Sequence, residues 1–193
     1  MAGAGWAARI RAMVIGMGGA ALIGNNIVKD QNDVDKGDRR MNEQWINGMN
    51  DTGELSETLI QSLIKTATEQ FKFSYTPYSH FKVGAALLAA DGTIYTGCNI
   101  ENAAYTPTNC AERTAFFKAV SEGVKDFRAI CIVGGMNGVW SSYAAPCGVC
   151  RQVMMEFCDP ESFQIILAAK DGRYKIYSLR ELLPEGFGPD NLD

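Results

Sequence analysis

The sequence predicts an α/β fold, a three-layer α/β/α sandwich around one mixed five-stranded sheet. Two Asp-Gly pairs, each between strand-like runs, indicate two hairpins. Helix-like and strand-like segments alternate between these hairpins, which is typical of a mixed sheet with helices on both faces. The 193 residues are 47% hydrophobic and 21% charged, so the chain has enough apolar material for one well-buried core.

Each element is predicted from a local pattern, taken in chain order. Apolar residues recur at helical spacing over 55–71 and predict an amphipathic first helix. A buried strand over 81–90 and a second strand over 93–98 flank the Asp91-Gly92 turn. The remaining elements are predicted as a helix over 110–121, a strand over 127–133, a helix over 147–157, a strand over 163–169, a strand over 173–177 after Asp171-Gly172, and a short helix over 179–183.

The start of the chain does not share this regularity. Residues 1–50 are predicted to form a poorly structured N-terminal extension, an upstream-start or non-native segment, before a single catalytic domain over 51–193. The apolar run over 13–24 is too short to span a bilayer. It contains Gly16-x-Gly18-x-x-Ala21, which superficially matches a dinucleotide-binding fingerprint, but 25–50 supplies no second strand. We therefore assign no function to this segment.

Charge and cysteine content constrain the partners and the compartment. A formal net charge of −4 argues against a surface for polyanionic nucleic acid, which usually carries a basic patch. The six cysteines are predicted to be intracellular free thiols rather than a disulfide framework. We expect a cytoplasmic protein with neither a nucleic-acid nor a membrane partner. Three cysteines lie in apolar or strand-like runs, Cys98, Cys131 and Cys158, and three lie beside Pro, Gly or Glu, namely Cys110, Cys147 and Cys150.

The strongest chemical pattern is Cys110-Ala111-Glu112 followed by Pro146-Cys147-Gly148-Val149-Cys150. Zinc prefers thiolate and imidazole ligands, and a catalytic site uses three protein ligands and a water. Cys147 and Cys150 are three residues apart, so at the head of a helix they lie on one face. A ligand set with one histidine is excluded because Cys110, and not the single histidine His80, precedes Glu112 by two residues. The predicted ligands of one Zn²⁺ per subunit are Cys110, Cys147 and Cys150, and His80 is predicted to be structural or supporting.

Glu112 is predicted to be the proton carrier, since it lies two residues from a ligand and is not needed as one. Zinc-dependent pyrimidine deaminases use this arrangement: zinc-activated hydroxide attacks C4, and the carboxylate moves protons from the water to N3 and to the departing amine. Three thiolates would leave the zinc site with one net negative charge. Two helix N-termini and hydrogen bonds from Arg113 to a ligand sulfur are expected to offset that charge.

Other interpretations of the cysteines remain open at this point. Pro-Cys-x-x-Cys alone also fits a redox dithiol or half of a structural zinc site. The spacing does not exclude Cys98, Cys131 or Cys158 as a fourth ligand that would close such a site. The upstream Cys-x-Glu favours an open, catalytic site.

Several blocks between about Leu55 and Leu183, and slightly beyond, resemble the homotetrameric cytidine deaminases. In order, these blocks are Tyr75-Thr76-Pro77-Tyr78-Ser79-His80-Phe81, Val83-Gly84-Ala85-Ala86-Leu87, Gly97-Cys98-Asn99-Ile100-Glu101-Asn102-Ala103-Ala104-Tyr105, Cys110-Ala111-Glu112-Arg113-Thr114-Ala115, Pro146-Cys147-Gly148-Val149-Cys150-Arg151-Gln152 and Leu182-Leu183-Pro184-Glu185-Gly186-Phe187. The resemblance implies the deaminase fold and hydrolysis of free cytidine and deoxycytidine to uridine and deoxyuridine plus ammonia.

The resemblance also implies roles for residues that the zinc pattern does not reach. Asn99 and Glu101 are similar to the pair that hydrogen-bonds the ribose 3′-hydroxyl, and Phe81 to the aromatic residue lining the base pocket. The main chain of Ala111 would meet the pyrimidine edge. Tyr105 and Phe187 resemble residues that contribute to the active site of a neighbouring subunit, so a homotetramer with shared active sites is expected.

Three other functions compete with this one. A blasticidin-type antibiotic deaminase shares the zinc pattern, but Asn99, Glu101 and Phe187 favour a nucleoside substrate. Polynucleotide-editing deaminases typically have histidine as the first ligand, whereas this chain has Cys110. A zinc-stabilised binding module would leave Glu112 without a purpose.

Overall fold

The computed structural model describes residues 55–140 and 143–192. Within these ranges, six strands form one mixed sheet with helices on both faces, which confirms the predicted α/β class. The predicted N-terminal extension over 1–50, with its Gly-x-Gly-x-x-Ala segment, lies outside the described residues, as does 51–54 of the predicted domain. None of the described helices combines the length and the hydropathy that crossing a bilayer requires.

The helices and strands alternate as the sequence predicts. The helices are α1 Glu57–Glu69, α2 Ala111–Ser121, α3 Gly148–Phe157 and α4 Leu179–Leu182, and two 3₁₀ turns cover Gln70–Lys72 and Pro189–Asn191. The strands are β1 Phe81–Ala89, β2 Ile94–Cys98, β3 Phe127–Met136, β4 Val139–Trp140, β5 Gln164–Ala168 and β6 Tyr174–Ser178. The strand order is β2-β1-β3-β5-β6, with β3 and β5 parallel and the other pairs antiparallel.

The sixth strand, β4, is an addition to the five that the sequence predicts. It has only two residues and pairs with the end of β3, where Gly135 lies opposite Trp140. Asn137 and Gly138 form the intervening turn and both have positive φ, 52° and 75°. Asn-Gly is the preferred dipeptide where both turn residues need positive φ, so the sequence did contain a signal for this hairpin.

Alternating residues of the central strands form two separate cores. From β1, Ala85 and Leu87 face the layer of α2 and α3, whereas Ala86 and Leu88 face α1. Phe116 of α2 is fully buried in the first core, with its ring centroid 5.0 Å from that of Phe127. Burial of one such large apolar side chain contributes about 1.5–3 kcal/mol, so the two cores hold the helices firmly against the sheet.

Two strand glycines allow the helices to approach closely. A Cβ on Gly97 would overlap the carbonyl oxygen of Ala111 and lie 2.6 Å from the nitrogen of Ala115. A Cβ on Gly84 would in the same way overlap the carbonyl oxygen of Ala67 in α1. The absence of a side chain at Gly97 therefore sets the distance between β2 and the beginning of α2, where Cys110 and Glu112 lie.

Candidate active site

The three predicted ligands meet where two helices begin. Cys110 is the N-cap of α2 and Cys147 is the N-cap of α3, both in extended conformation, while Cys150 lies in the first turn of α3. The Cys110 and Cys147 sulfurs are 3.9 Å apart, and the Cys147 and Cys150 sulfurs are 3.4 Å apart. All three Sγ atoms lie within 4.8 Å of one another. The other three cysteines and His80 are outside this group, and all six cysteines are free thiols.

This geometry fits a zinc ion. With Zn–S bonds of about 2.3 Å and tetrahedral angles, ligand sulfurs lie about 3.8 Å apart. The two measured distances bracket that value, and thiolate is a donor that zinc prefers. Cys110, Cys147 and Cys150 can therefore hold one zinc ion, and three protein ligands leave a fourth position for water or substrate.

Positive groups lie next to the sulfurs. The N-termini of α2 and α3 both point at the group, and each supplies partial positive charge. Arg113 Nη2 donates to the Cys110 sulfur at 3.8 Å and to the Thr108 carbonyl at 3.0 Å. Hydrogen bonding from Cys150, followed by Arg113, lowers the pKa of the Cys110 thiol to about 5. Neutral pH therefore favours a thiolate in this group, which is the form that binds zinc.

Glu112 lies in the first turn of α2 and is only 4% exposed. Burial raises the pKa of its carboxyl group to about 7, although the backbone hydrogen bond at the start of the helix opposes the shift. A carboxyl group that titrates near neutral pH can both accept and return a proton, which suits a general acid–base.

A cavity of about 280 Å³ connects the sulfurs with the predicted substrate residues. It is lined by Phe81, Val83, Asn99, Glu101, Thr108, Asn109, Cys110, Glu112, Ile132, Ala144, Ala145 and Cys147. Six predicted site residues thus share one cavity. Cys150 and Ala111 are buried and do not line the cavity, and Arg113 contacts the Cys110 sulfur. Tyr105 and Phe187 lie outside the cavity of their own chain and are 78% and 59% exposed.

Asn99 and Glu101 are held in the cavity wall by groups that the sequence did not reveal. The Asn99 amide bonds to the main chain of β1, and to Ser74 Oγ at 2.8 Å. Oε2 of Glu101 accepts from the backbone nitrogens of Tyr78 and Ser79 at 2.9 and 3.3 Å. The Ser79 hydroxyl, followed by these backbone groups, lowers the pKa of Glu101. These contacts join segments that are distant in the sequence, so no local pattern predicts them.

The fold and the site define an α/β enzyme in which three thiols that could hold a metal ion lie near a buried carboxyl group. Residues 57–165 match the family model described as the cytidine and deoxycytidylate deaminase zinc-binding region. A cytidine deaminase from Sporosarcina psychrophila is 50% identical over 133 residues, covering 69% of this chain and 94% of that protein. One from Halalkalibacterium halodurans is 46% identical, covering 69% and 97%. The chain belongs to the cytidine deaminase family.

Solved structures agree with this assignment. The crystal structure of cytidine deaminase from Burkholderia pseudomallei is 43% identical with a TM-score of 0.61, covering 66% of this chain and 98% of that one. Cytidine deaminase from Mycobacterium tuberculosis is 38% identical with a TM-score of 0.56, covering 66% and 96%. The described fold is therefore that of the solved cytidine deaminases.

Proposed function

We propose that this enzyme hydrolyses cytidine and deoxycytidine to uridine and deoxyuridine plus ammonia, with one zinc ion per subunit, in pyrimidine salvage. The observation that carries the proposal is the position of the buried Glu112 carboxyl in the same cavity as the Cys110 and Cys147 thiols. Similarity to proteins named cytidine deaminase supports the choice of substrate.

Zinc would be held by Cys110, Cys147 and Cys150. When bound, it would act as a Lewis acid that brings the pKa of a water molecule down to about 7. The hydrogen bond from Cys150 and the contact from Arg113 at 3.8 Å favour the thiolate form of Cys110. The helix N-termini assist because they stabilise negative charge on the sulfurs.

Glu112 moves the protons of the reaction. Its carboxylate takes a proton from the attacking water and delivers it to N3 of the base. It then takes the second proton from the hydroxyl formed at C4, which becomes the carbonyl, and transfers it to the amino group that leaves C4 as ammonia. Burial favours this task because a carboxyl with a pKa of about 7 is neither a permanent acid nor a permanent base at neutral pH.

The rest of the cavity would orient the nucleoside. Phe81 lines the wall for the base, and the main chain of Ala111 meets the pyrimidine edge. Asn99 and Glu101 would bind the ribose 3′-hydroxyl, since the amide retains a donor and the carboxylate an acceptor. Their position in the cavity that holds Glu112 supports this role.

We propose a cytoplasmic homotetramer in which neighbouring subunits complete each site. The exposure of Tyr105 and Phe187 outside their own cavity supports the contribution of these side chains to a partner. In that assembly Phe187 would stack on the base bound by the neighbouring subunit.

The test is the ultraviolet absorbance of cytidine incubated with the purified enzyme, beside zinc-stripped enzyme and a Glu112→Gln variant. Loss of the cytidine band with native enzyme alone is expected. If cytidine is unchanged while zinc is bound and the protein is tetrameric, the nucleoside proposal is wrong, and blasticidin S is the next substrate to test.

A further inference from the structure

The side-chain amide of Asn99 is almost fully bonded before any substrate arrives. Its Oδ1 accepts from the backbone nitrogen of Val83 at 2.8 Å, and its Nδ2 donates to the Phe81 carbonyl at 2.8 Å. These two partners fix the amide orientation, because a backbone N–H can only donate and a carbonyl can only accept. Ser74 Oγ, 2.8 Å away, is the second partner of Oδ1.

The Ser74 hydroxyl donates its proton to the side-chain oxygen of Asn99. Oγ lies 3.2 Å from the Val83 carbonyl and 2.8 Å from Asn99 Oδ1, and both are acceptors. A hydroxyl has one proton, and the shorter contact to Oδ1 would be repulsive unless it carried that proton. Oδ1 therefore accepts two hydrogen bonds, and one N–H of the Asn99 amide has no partner among the described residues.

Glu101 supplies the hydrogen-bond acceptor that complements the Asn99 donor. Its Oε2 accepts from the backbone nitrogens of Tyr78 and Ser79, and the Ser79 hydroxyl also bonds to the carboxylate; with about four lone-pair sites, the carboxylate still has an acceptor site for a ligand. The cavity wall thus offers one donor from Asn99 and one acceptor from Glu101. A hydroxyl group satisfies both at once, because it accepts and donates.

We propose that Ser74 is a positioning residue: its hydroxyl occupies the remaining acceptor position of Asn99 Oδ1, so that the amide oriented by Val83 and Phe81 offers only an N–H to the cavity and sets the preference for a sugar with a 3′-hydroxyl. Without the Ser74 hydroxyl, the half-buried Oδ1 loses a partner and competes for the substrate hydroxyl or for water. The inference rests on the proposed function, since it assigns Asn99 to the sugar of a nucleoside.

The experiment compares the wild type with Ser74→Ala on cytidine and 3′-deoxycytidine, measuring kcat and KM for each. For cytidine we expect KM to rise roughly threefold to tenfold, as for one weakened hydrogen bond, with kcat unchanged. For 3′-deoxycytidine the two enzymes should have the same KM, because Asn99 has no hydroxyl to read. Ser74→Thr keeps the hydroxyl and should restore the wild-type KM for cytidine.

Ser121→Ala is the matched control, since Ser121 is exposed at the end of α2 and its hydroxyl donates to the Lys118 carbonyl, far from Asn99 in the sequence. It should leave kcat and KM for both substrates unchanged.

Equal loss of kcat/KM on both substrates, or no loss on cytidine, would overturn the role of Ser74. A wild type that deaminates cytidine and 3′-deoxycytidine with equal KM would overturn it while leaving the deaminase proposal intact. A zinc-loaded wild type without activity on cytidine would instead refute the proposed function.

Should Ser74→Ala fold poorly, Ser74→Cys provides the same comparison with a near-isosteric side chain and a weaker donor. The expected KM for cytidine then lies between those of the wild type and the alanine variant. A wild-type KM in this cysteine variant would overturn the inference.

Discussion

At the scale of single residues, the site depends on two kinds of ionisable group with opposite needs. In the proposed mechanism, the thiols lose protons to bind the metal, whereas Glu112 exchanges one. Hydrogen bonds from Cys150 and Arg113 lower the pKa of the Cys110 thiol, whereas the hydrogen bond to Cys110, followed by burial, raises the pKa of Cys150, and burial raises the pKa of the Glu112 carboxyl. Neighbouring residues of one helix start can therefore carry different protonation states at the same pH.

The first prediction concerns Glu112. Replacement by Gln keeps the shape of the side chain but removes its proton exchange, so kcat should fall by about 100- to 10,000-fold. Zinc content, measured by metal analysis, should stay at the wild-type level because Glu112 is not a ligand. Glu69→Gln, on the exposed end of α1, is the control and should retain full activity. Retained turnover in Glu112→Gln would contradict the assigned role.

The second prediction concerns the reactivity of the thiols when zinc is removed. In stripped protein, iodoacetamide should modify Cys147, which is exposed, and Cys110, whose pKa is lowered to about 5. Burial raises the pKa values of Cys131 and Cys158, so these two should remain unmodified.

Mass spectrometry of the peptides measures this pattern. Loading with zinc should protect Cys110 and Cys147 and leave the other cysteines as they were. If zinc instead protected Cys98, the three-thiol ligand set would be wrong.

The sequence predicts these residues better than the contacts that hold them. The spacing of Cys110, Glu112 and Cys147 predicts their roles, because a zinc site uses few residue types as ligands at typical spacings. Ser74 and Ser79 gave no signal, since their partners lie 25 and 22 residues away in the sequence. Hydrogen bonds between distant segments follow from strand register and loop closure, which a local pattern does not contain.

At the scale of elements, the sheet determines where α2 begins. Continuous apolar runs predicted β1 and β3, because each strand has core residues on both faces. The two-residue strand β4 was missed, because an element of that length has no periodicity to detect. The role of Gly97 was also not predictable, since the residue it approaches, Ala111, belongs to a different element.

The third prediction uses the two strand glycines as a matched pair. Gly97→Ala and Gly84→Ala should each lower the free energy of unfolding by about 1–3 kcal/mol, since each methyl group would overlap a helix carbonyl. Only Gly97→Ala displaces the helix that carries Cys110, so only this variant should lose zinc faster to a chelator.

Chemical denaturation and a colorimetric chelator measure the two effects separately. Equal zinc loss in both variants would mean that general destabilisation, rather than the position of α2, controls metal retention. Normal stability in Gly97→Ala would show that β2 and α2 can separate without cost.

At the scale of the whole molecule, the described cavity is built from one part of the chain. The cavity residues lie between Phe81 and Cys147, and the family model matches 57–165. The fourth prediction is that deleting 1–50 leaves kcat/KM and zinc content unchanged. A deletion of 1–64 is the contrasting variant, because it removes Leu59, Ile60 and Leu63 from the core under α1 and should abolish stable folding. Loss of activity on deleting 1–50 alone would assign a function to that segment.

The fifth prediction tests whether the sites are shared between subunits. Phe187 is exposed in its own chain, and its carbonyl accepts a bond from Gln152 at 2.8 Å, which holds this segment against α3. Phe187→Ala alone should therefore raise KM, because a neighbouring base loses its stacking partner. Leu192→Ala removes another exposed apolar side chain near the C-terminus and should leave KM unchanged.

Co-expression of Phe187→Ala with Glu112→Gln distinguishes shared from self-contained sites. In a mixed tetramer, a subunit that keeps Glu112 can receive the partner's Phe187 from a Glu112→Gln subunit, so some complete sites form. Turnover with the wild-type KM should then appear, although neither variant shows it alone. If each chain completes its own site, the mixture will show only the raised KM of Phe187→Ala, because Glu112 and Phe187 are never both present in one chain.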